Sequence, residues 1–470
     1  MIERVMVIGA GIGGITAALA AAKAGTEVVL VEKGPILGGK LASRLGEGED
    51  AADLSNGVDL PRAREVMEHD NIEVLPLAEV LKLTGEAGHF TATIGQRARY
   101  VTDACTQCNR CRLVCPVVLP NEHEAGLTFR KAIYLPLRNG VPDAYVIDID
   151  HCLNELPNYL PCHRCVEVCE PDCIDFGMEP QHTLDREVGA VVVAVGYDVA
   201  DPEQLRKYGY GTHPDILTSR ELECLLAPTG PTGGYIEKPS NEEYPESLLL
   251  HITDTTTLSW VYSINQISRL LKQDVSDVTV LYDANGDDQE RIDKLRLQAV
   301  DMGAKFVRGA IHKVQGDAHN SLHIQYTDKD KDHKVTAEFD LMVLASAVEP
   351  PEGLSELSER LEIDLREDGF VYVAQDLQGF IATSRPGICV VGCAGGPMDV
   401  PETFAQGMAV TESSIHVQDQ PAAANAIQAE GPQRRDGIVL GDRKLAEAEL
   451  HERLEKFVWS LIDLGQRNAN

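Results

Sequence analysis

Eight cysteines fall within residues 105–169, and their spacing limits what that stretch can become. Cys105, Cys108, Cys111 and Cys115, the last followed by Pro116, repeat the CxxCxxCxxxCP run of bacterial ferredoxins. Cys152, Cys162, Cys165 and Cys169 form a second, stretched copy. Thiolates two residues apart on a tight turn can chelate adjacent irons of a cubane, and the fourth cysteine of such a run usually serves the other cluster. Structural zinc and disulfides are the competing readings. Zinc favours two separate CxxC pairs over an unbroken CxxCxxC. No signal peptide is visible, so a reducing cytoplasm is expected, where disulfides are rare. The stretch reads as iron–sulfur.

On ferredoxin logic Cys105, Cys108 and Cys111 share a cluster with Cys169, and Cys115 joins Cys152, Cys162 and Cys165. The first set keeps its tight loop and gives one [4Fe-4S] cluster. In the second, nine residues separate Cys152 from Cys162. A longer flexible loop closes at an extra cost of only about 0.6 kcal/mol per doubling. It does not present the same fixed chelate, so the count stays at one or two. Cys173 stands where ferredoxins usually carry a small apolar residue and reads as a buried bystander.

The amino terminus carries a different signal. An apolar strand, Val5 to Ile8, runs into Gly9-Ala10-Gly11-Ile12-Gly13-Gly14 and an Ala-rich helix, and a second strand from Glu27 ends at Glu32. In this pattern Gly9 permits the tight turn, Gly11 lets a pyrophosphate approach the backbone, and Gly14 lets helix and strand pack closely. The pyrophosphate then sits on the helix N-terminus, with Glu32 facing a ribose. FAD is favoured over NAD by three further pieces: Gly38-Gly39-Lys40 after the acidic residue, the apolar run Val191 to Gly196 before Tyr197, and Gly387 to Cys393 late in the chain. The last resembles the closing strand of two-domain flavoproteins, which normally ends Gly-Asp; Cys393 replaces the aspartate, and Asp399 or a backbone amide is the expected substitute. The expected cofactor contacts are Gly9, Gly11, Ile12, Gly13, Gly14, Glu32, Lys33, Gly39, Lys40, Ala194, Gly196, Gly392, Cys393, Pro397, Asp399 and Val400.

Residues 1–98 read as the first part of the FAD-binding domain, 99–180 as a ferredoxin-like insertion, and 181–240 as the second part. Residues 241–365 read as a separate α/β domain, with strand-like runs at Leu248–Ile252, Val278–Tyr282 and Leu341–Ala345 alternating with helical segments, the pattern of a parallel sheet. Its first strand enters Thr253-Asp254-Thr255-Thr256-Thr257 with no GxGxxG, so it reads as a degenerate nucleotide domain. Residues 366–418 return to the FAD domain. Residues 419–470 read as a Pro/Ala-rich linker, Gln420 to Gln433, and an amphipathic helix, Leu445 to Leu464.

Composition narrows the rest. No apolar run reaches the 18 or so residues needed to span a bilayer, so no membrane insertion is expected. A formal net charge of −32 disfavours nucleic acid, whose phosphates it would repel.

These residues resemble the A subunit of heterodisulfide reductase over most of the chain up to about 415. The most specific parts are Arg130-Lys131-Ala132-Ile133-Tyr134 with Val141-Pro142, the Tyr208-Gly209-Tyr210-Gly211 turn, and Gly392 to Pro401. The resemblance implies an α/β, thioredoxin-reductase-like two-domain flavoprotein with an inserted ferredoxin-like iron–sulfur domain, passing electrons to B- and C-like subunits. Methanogenic members look to carry cysteines where this chain has Leu54, Gly57 and the Thr253 to Thr257 run, so the chain resembles the shorter A-like subunits of sulfur-oxidising bacteria more closely. The leading function is an electron-transfer subunit in sulfur-compound oxidation, a homodimer in isolation, with no side chain in nucleophilic or acid–base catalysis. The competitors are the A subunit of a quinone-interacting membrane-associated complex, a self-sufficient NAD(P)H-dependent reductase, and a scaffold whose cofactors do not cycle.

Overall fold

Val5–Ile8, Val28–Val31 and Val191–Val193 are uninterrupted runs of buried aliphatic residues, the pattern of strands covered on both faces. In the computed structural model, which describes residues 4–42, 59–137, 140–154, 160–200, 202–273, 275–283, 289–317, 321–374 and 381–416, they lie in a five-stranded parallel sheet. Its order is Ile388–Val390, Ala190–Val193, Arg4–Ile8, Glu27–Val31, Ile72–Leu75. The Ile12–Lys23 helix lies against it through small residues, Ala17, Ala18, Ala21 and Ala22. The Val400–His416 helix packs beside that helix.

A three-stranded antiparallel sheet, ordered Gln181–Val188, His89–Arg97, Ala78–Glu86, accompanies this core. Gln181 pairs directly with Arg97. The chain therefore leaves after residue 97 and returns at 181 with its two ends already held side by side, so the excursion between them does not disturb the host register. That excursion holds all eight motif cysteines. Its own core is small: Tyr100, Val101, Ile133, Tyr145, Ile147, Cys173 and Ile174, with six of the motif cysteines packed against it. So little apolar material is marginal without a further staple.

The other large sheet has seven strands, ordered Ile216–Thr218, Leu341–Ala345, Ser247–Ile252, Asp277–Tyr282, Lys305–Gly316, Leu322–Asp328, His333–Phe339. The first five are mutually parallel and the last two antiparallel. Trp260, Ile264 and Ile267 of the Thr257–Lys272 helix fill the space over it. Asp198–Val199 and Val348–Glu349, the two connections between the sheets, pair with each other antiparallel.

Two sequence boundaries move. The three-residue strand Ile216–Thr218 pairs with Leu341–Ala345, and Leu222, Leu225 and Leu226 pack into the core of the seven-stranded sheet. That sheet's territory therefore begins well before residue 241. It also ends before 365, because Leu354, Leu361 and Ile363 pack with Met6 and Ile8 of the first sheet. The Gln420–Gln433 linker, the Leu445–Leu464 helix, Leu54 and Gly57 lie outside the described residues. Among the described residues no helix is long and apolar enough to cross a membrane.

Candidate functional site

The turn after the Arg4–Ile8 strand is held from two sides. Gly9 donates its N–H to Val31 O at 2.8 Å, and a Cβ on it would stand 2.5 Å from Ala194 O, with φ at +96°. A Cβ on Gly14 would stand 1.8 Å from Gly9 O, so helix and turn touch there with no room for a side chain. Gly11 differs: a Cβ on it meets nothing within 4 Å. The protein itself does not need glycine at position 11, and the space beside it is what a closely approaching ligand requires. Gly11 is also the N-cap of the Ile12–Lys23 helix, with no side chain capping it and no acidic residue in the first turn. This N-terminus keeps its orphan amides for an anion.

Glu32 reaches back to the turn. One carboxylate oxygen accepts from Ala10 N and the other from Gly34 N, both at 2.7 Å. Burial raises its pKa against the pull of those two amides. Lys33 beside it is exposed. The second glycine loop is tied to the first by Gly38 N donating to Ala10 O at 2.8 Å, and a Cβ on Gly39 would stand 3.1 Å from the Gly11 Cα. Lys40 donates to Asp198 Oδ1 at 2.8 Å and to the Tyr197 carbonyl, joining this loop to the Gly196 turn. The residues expected from three separate stretches thus converge on one edge of the first sheet.

The late stretch departs from expectation at one point. Cys393 is buried and its thiol donates to Met398 O at 3.2 Å; burial pushes its pKa up to about 11. Gly392 N donates to Gln406 Oε1 at 2.9 Å. Pro397 and Val400 are half-buried around the start of the Val400–His416 helix. Asp399, the expected stand-in for the missing Gly-Asp aspartate, is otherwise engaged. Its Oδ1 accepts from Glu402 N at 2.9 Å, capping that helix, and its Oδ2 accepts from Arg291 of the Gln289–Asp301 helix. A carboxylate is stabilised there by the helix N-terminus and the guanidinium together.

In the seven-stranded sheet the corresponding turn is closed by the chain itself. Thr253 donates through N and Oγ1 to Ala345 O, at 3.0 and 2.9 Å. The Asp254 carboxylate accepts from Thr256 N at 3.2 Å and from Ser259 Oγ at 2.9 Å. Thr256 caps the Thr257–Lys272 helix by accepting from Ser259 N. The turn before this helix is thus bonded within the chain, through an acidic side chain and hydroxyls instead of glycine backbone.

The motif cysteines gather in two groups. Cys105, Cys108, Cys111 and Cys169 line one cavity, with Cys173 as a fifth sulfur. Cys115, Cys152, Cys162 and Cys165 line another. Burial, with Cys105, Cys108 and Cys169 adding to it, pushes the Cys111 thiol up to about 11. Burial and the neighbouring Cys152, Cys115 and Cys162 push Cys165 up to about 12. At Cys111 and Cys165 burial and the neighbouring sulfurs disfavour the thiolate, a cost that bound iron would offset by supplying positive charge. Among the described residues no three His, Cys, Asp or Glu side chains converge on a point suited to a single metal ion.

The segment between the cages and the glycine loops is short. Val141 O accepts from Leu37 N at 2.6 Å, and Asp143 O accepts from the Gln107 side chain, which sits between Cys105 and Cys108, at 2.7 Å. Sequence reasoning missed three participants: Arg291, the carboxylate of Asp254 on its helix, and the position of Cys173 inside the first cage. Of these, only Cys173 had a sequence signal, its four-residue spacing from Cys169.

Residues 4–67 match the model of an FAD dependent oxidoreductase family. The chain is 32% identical over 418 residues to the iron–sulfur A subunit of CoB--CoM heterodisulfide reductase from Methanocaldococcus jannaschii, covering 85% of this chain and 62% of that protein. It is 34% identical over 423 residues to the iron–sulfur A subunit numbered 2 of CoB--CoM heterodisulfide reductase from Methanopyrus kandleri, covering 87% and 63%. The chain thus spans less than two thirds of the curated relatives it matches. Among solved structures, thioredoxin reductase of Lactococcus lactis aligns at 13% identity and a TM-score of 0.48, over 88% of this chain and 98% of that one.

Proposed function

We propose, on the premise that this chain belongs to the A-subunit family of heterodisulfide reductases, that it is an FAD- and iron–sulfur-dependent electron-transfer subunit. The observation that carries this is the Val141–Asp143 segment, which hydrogen-bonds to the second glycine loop at one end and to the first cysteine cage at the other. It holds a flavin-type site and a cluster-type site at a fixed separation. FAD, when bound, supplies exchange of two electrons or one, and an iron–sulfur cluster exchanges one at a time.

The chain's own residues then have positional work. The open helix end at Ile12 to Gly14 receives the pyrophosphate, and Glu32 keeps lone pairs for a ribose while its amide bonds fix its orientation. Lys40 holds the second loop against the Gly196 turn. Cys105, Cys108, Cys111 and Cys169 hold one cluster, and Cys115, Cys152, Cys162 and Cys165 hold a second. No side chain is assigned to acid–base or nucleophilic work. Electrons leave through the cysteine insertion to B- and C-like subunits in a cytoplasmic complex that serves sulfur-compound oxidation, and the isolated protein is a homodimer.

The glycine-free turn Thr253 to Thr257 argues against the self-sufficient NAD(P)H reductase. Anaerobic mixing tests this: neither NADH nor NADPH bleaches the flavin absorbance, whereas dithionite does. Bleaching by either nicotinamide would overturn this reading.

A further inference from the structure

Cys173 reads from the sequence as a packing residue, yet its surroundings are sulfur. It is buried, lines the same cavity as Cys105, Cys108, Cys111 and Cys169, and its Sγ stands 3.3 Å from that of Cys169. A cubane takes four protein sulfurs, and the first cage offers five. The second cage is lined by four cysteines.

The two candidates for the fourth place are anchored differently. Cys169 follows the short Arg164–Glu167 helix and is tied locally, its N–H donating to Val166 O at 3.0 Å. Cys173 sits on a segment stitched to the start of the insertion: its carbonyl accepts from Thr102 N at 2.8 Å, and Ile174 bridges Val101. Its own N–H donates to Cys169 Sγ at 3.4 Å. Two of the ties that hold Cys173 beside the ligand position, to Thr102 and to Val101, do not depend on Cys169.

We propose that Cys173 is a reserve ligand of the first cage, able to take the iron that Cys169 holds when Cys169 is lost. This rests on the iron–sulfur reading above. In the exchange the bond from that iron to the Cys169 sulfur is broken, or is missing in a variant without it, and the Cys173 sulfur bonds the iron; the Cys173 thiol proton passes to the released Cys169 thiolate or, where that is missing, to solvent, and no electrons are transferred.

The test compares Cys169→Ala, Cys173→Ala, the double variant and Cys165→Ala in the full chain, by iron and acid-labile sulfide per chain and by the EPR spectrum of the dithionite-reduced protein. Alanine is used because a serine oxygen can itself ligate iron. Flavin content serves as the folding control. Cys173→Ala and Cys169→Ala each keep the parent's iron, the latter with an altered EPR signal. The double variant loses about four irons per chain, and Cys165→Ala, which has no fifth sulfur beside it, loses its cluster as a single change. If Cys169→Ala alone loses as much iron as the double variant, or if Cys173→Ala alone loses it, the reserve role is wrong. Cys108→Ala separates the two levels: full iron in that variant would sink the cluster assignment itself.

Discussion

The two strand–turn–helix units of this chain begin alike and end in opposite states. In the first, the strand Arg4–Ile8 meets a helix whose N-terminus has no side-chain cap and no acidic residue in its first turn. In the second, Ser247–Ile252 meets a helix that Thr256 caps, with the Asp254 carboxylate bonded to the Thr256 N–H and the Ser259 hydroxyl beside it. Both arrangements satisfy the same electrostatic demand, negative charge near exposed amides. One leaves that demand to a ligand and the other meets it from within. The missing glycines therefore explain only half of the second unit's character; the other half is the acid and the hydroxyls that bond the turn to itself.

The comparison can be broken most sharply at Gly11. Because its missing Cβ faces open space, Gly11→Val leaves the fold intact and removes the room a pyrophosphate needs. The purified variant should show the parent's thermal unfolding and no flavin absorbance. Normal flavin content would mean that this N-terminus is not the site.

A second, smaller effect separates the strands that lead into the two turns. His251 is buried where the first unit has the apolar Val7, and burial depresses its pKa to about 4. The folded chain resists protonating it while the unfolded chain takes a proton below its ordinary value of 6.5. Its contribution is therefore intact above pH 6.5 and is lost as the pH falls toward 4, a loss of about 3 kcal/mol at most. His251→Leu should flatten the difference in denaturation midpoint between neutral and acid pH. An unchanged slope would show that the imidazole already titrates freely in the native protein.

The smallest effect concerns Asp254 itself. Asp254→Ala should lower stability by about 1 kcal/mol, the usual worth of a lost helix-end partner, while flavin content stays as it was. Urea unfolding of the parent and variant measures the first and absorbance the second. A stability unchanged within error would leave Asp254 as a bystander and Thr256 as the sufficient cap.

Much of the site was legible in the sequence because its chemistry is local. Tight chelate spacing marked the first run of cysteines and a stretched copy of it the second, and a strand, glycines, helix and acid at fixed offsets marked the first unit. What escaped reading is set by distance along the chain. Ile216–Thr218 is too short to announce a strand, and only its pairing with Leu341–Ala345 reveals its sheet. Arg291 lies 108 positions from Asp399, and nothing in either neighbourhood signals the other. Cys173 had a ferredoxin precedent as an apolar position, and only the folded cage shows its sulfur beside Cys169.

The Arg291–Asp399 pair also has a thermodynamic meaning. One carboxylate is shared between a helix in the first unit and a guanidinium that belongs to the second. Anything that draws on the charge of Asp399 must alter how firmly Arg291 is held. By reciprocity, whatever loosens Arg291 alters the affinity at Asp399 by the same free energy. The pair in this way ties the seating of the Gln289–Asp301 helix to that of the Val400–His416 helix.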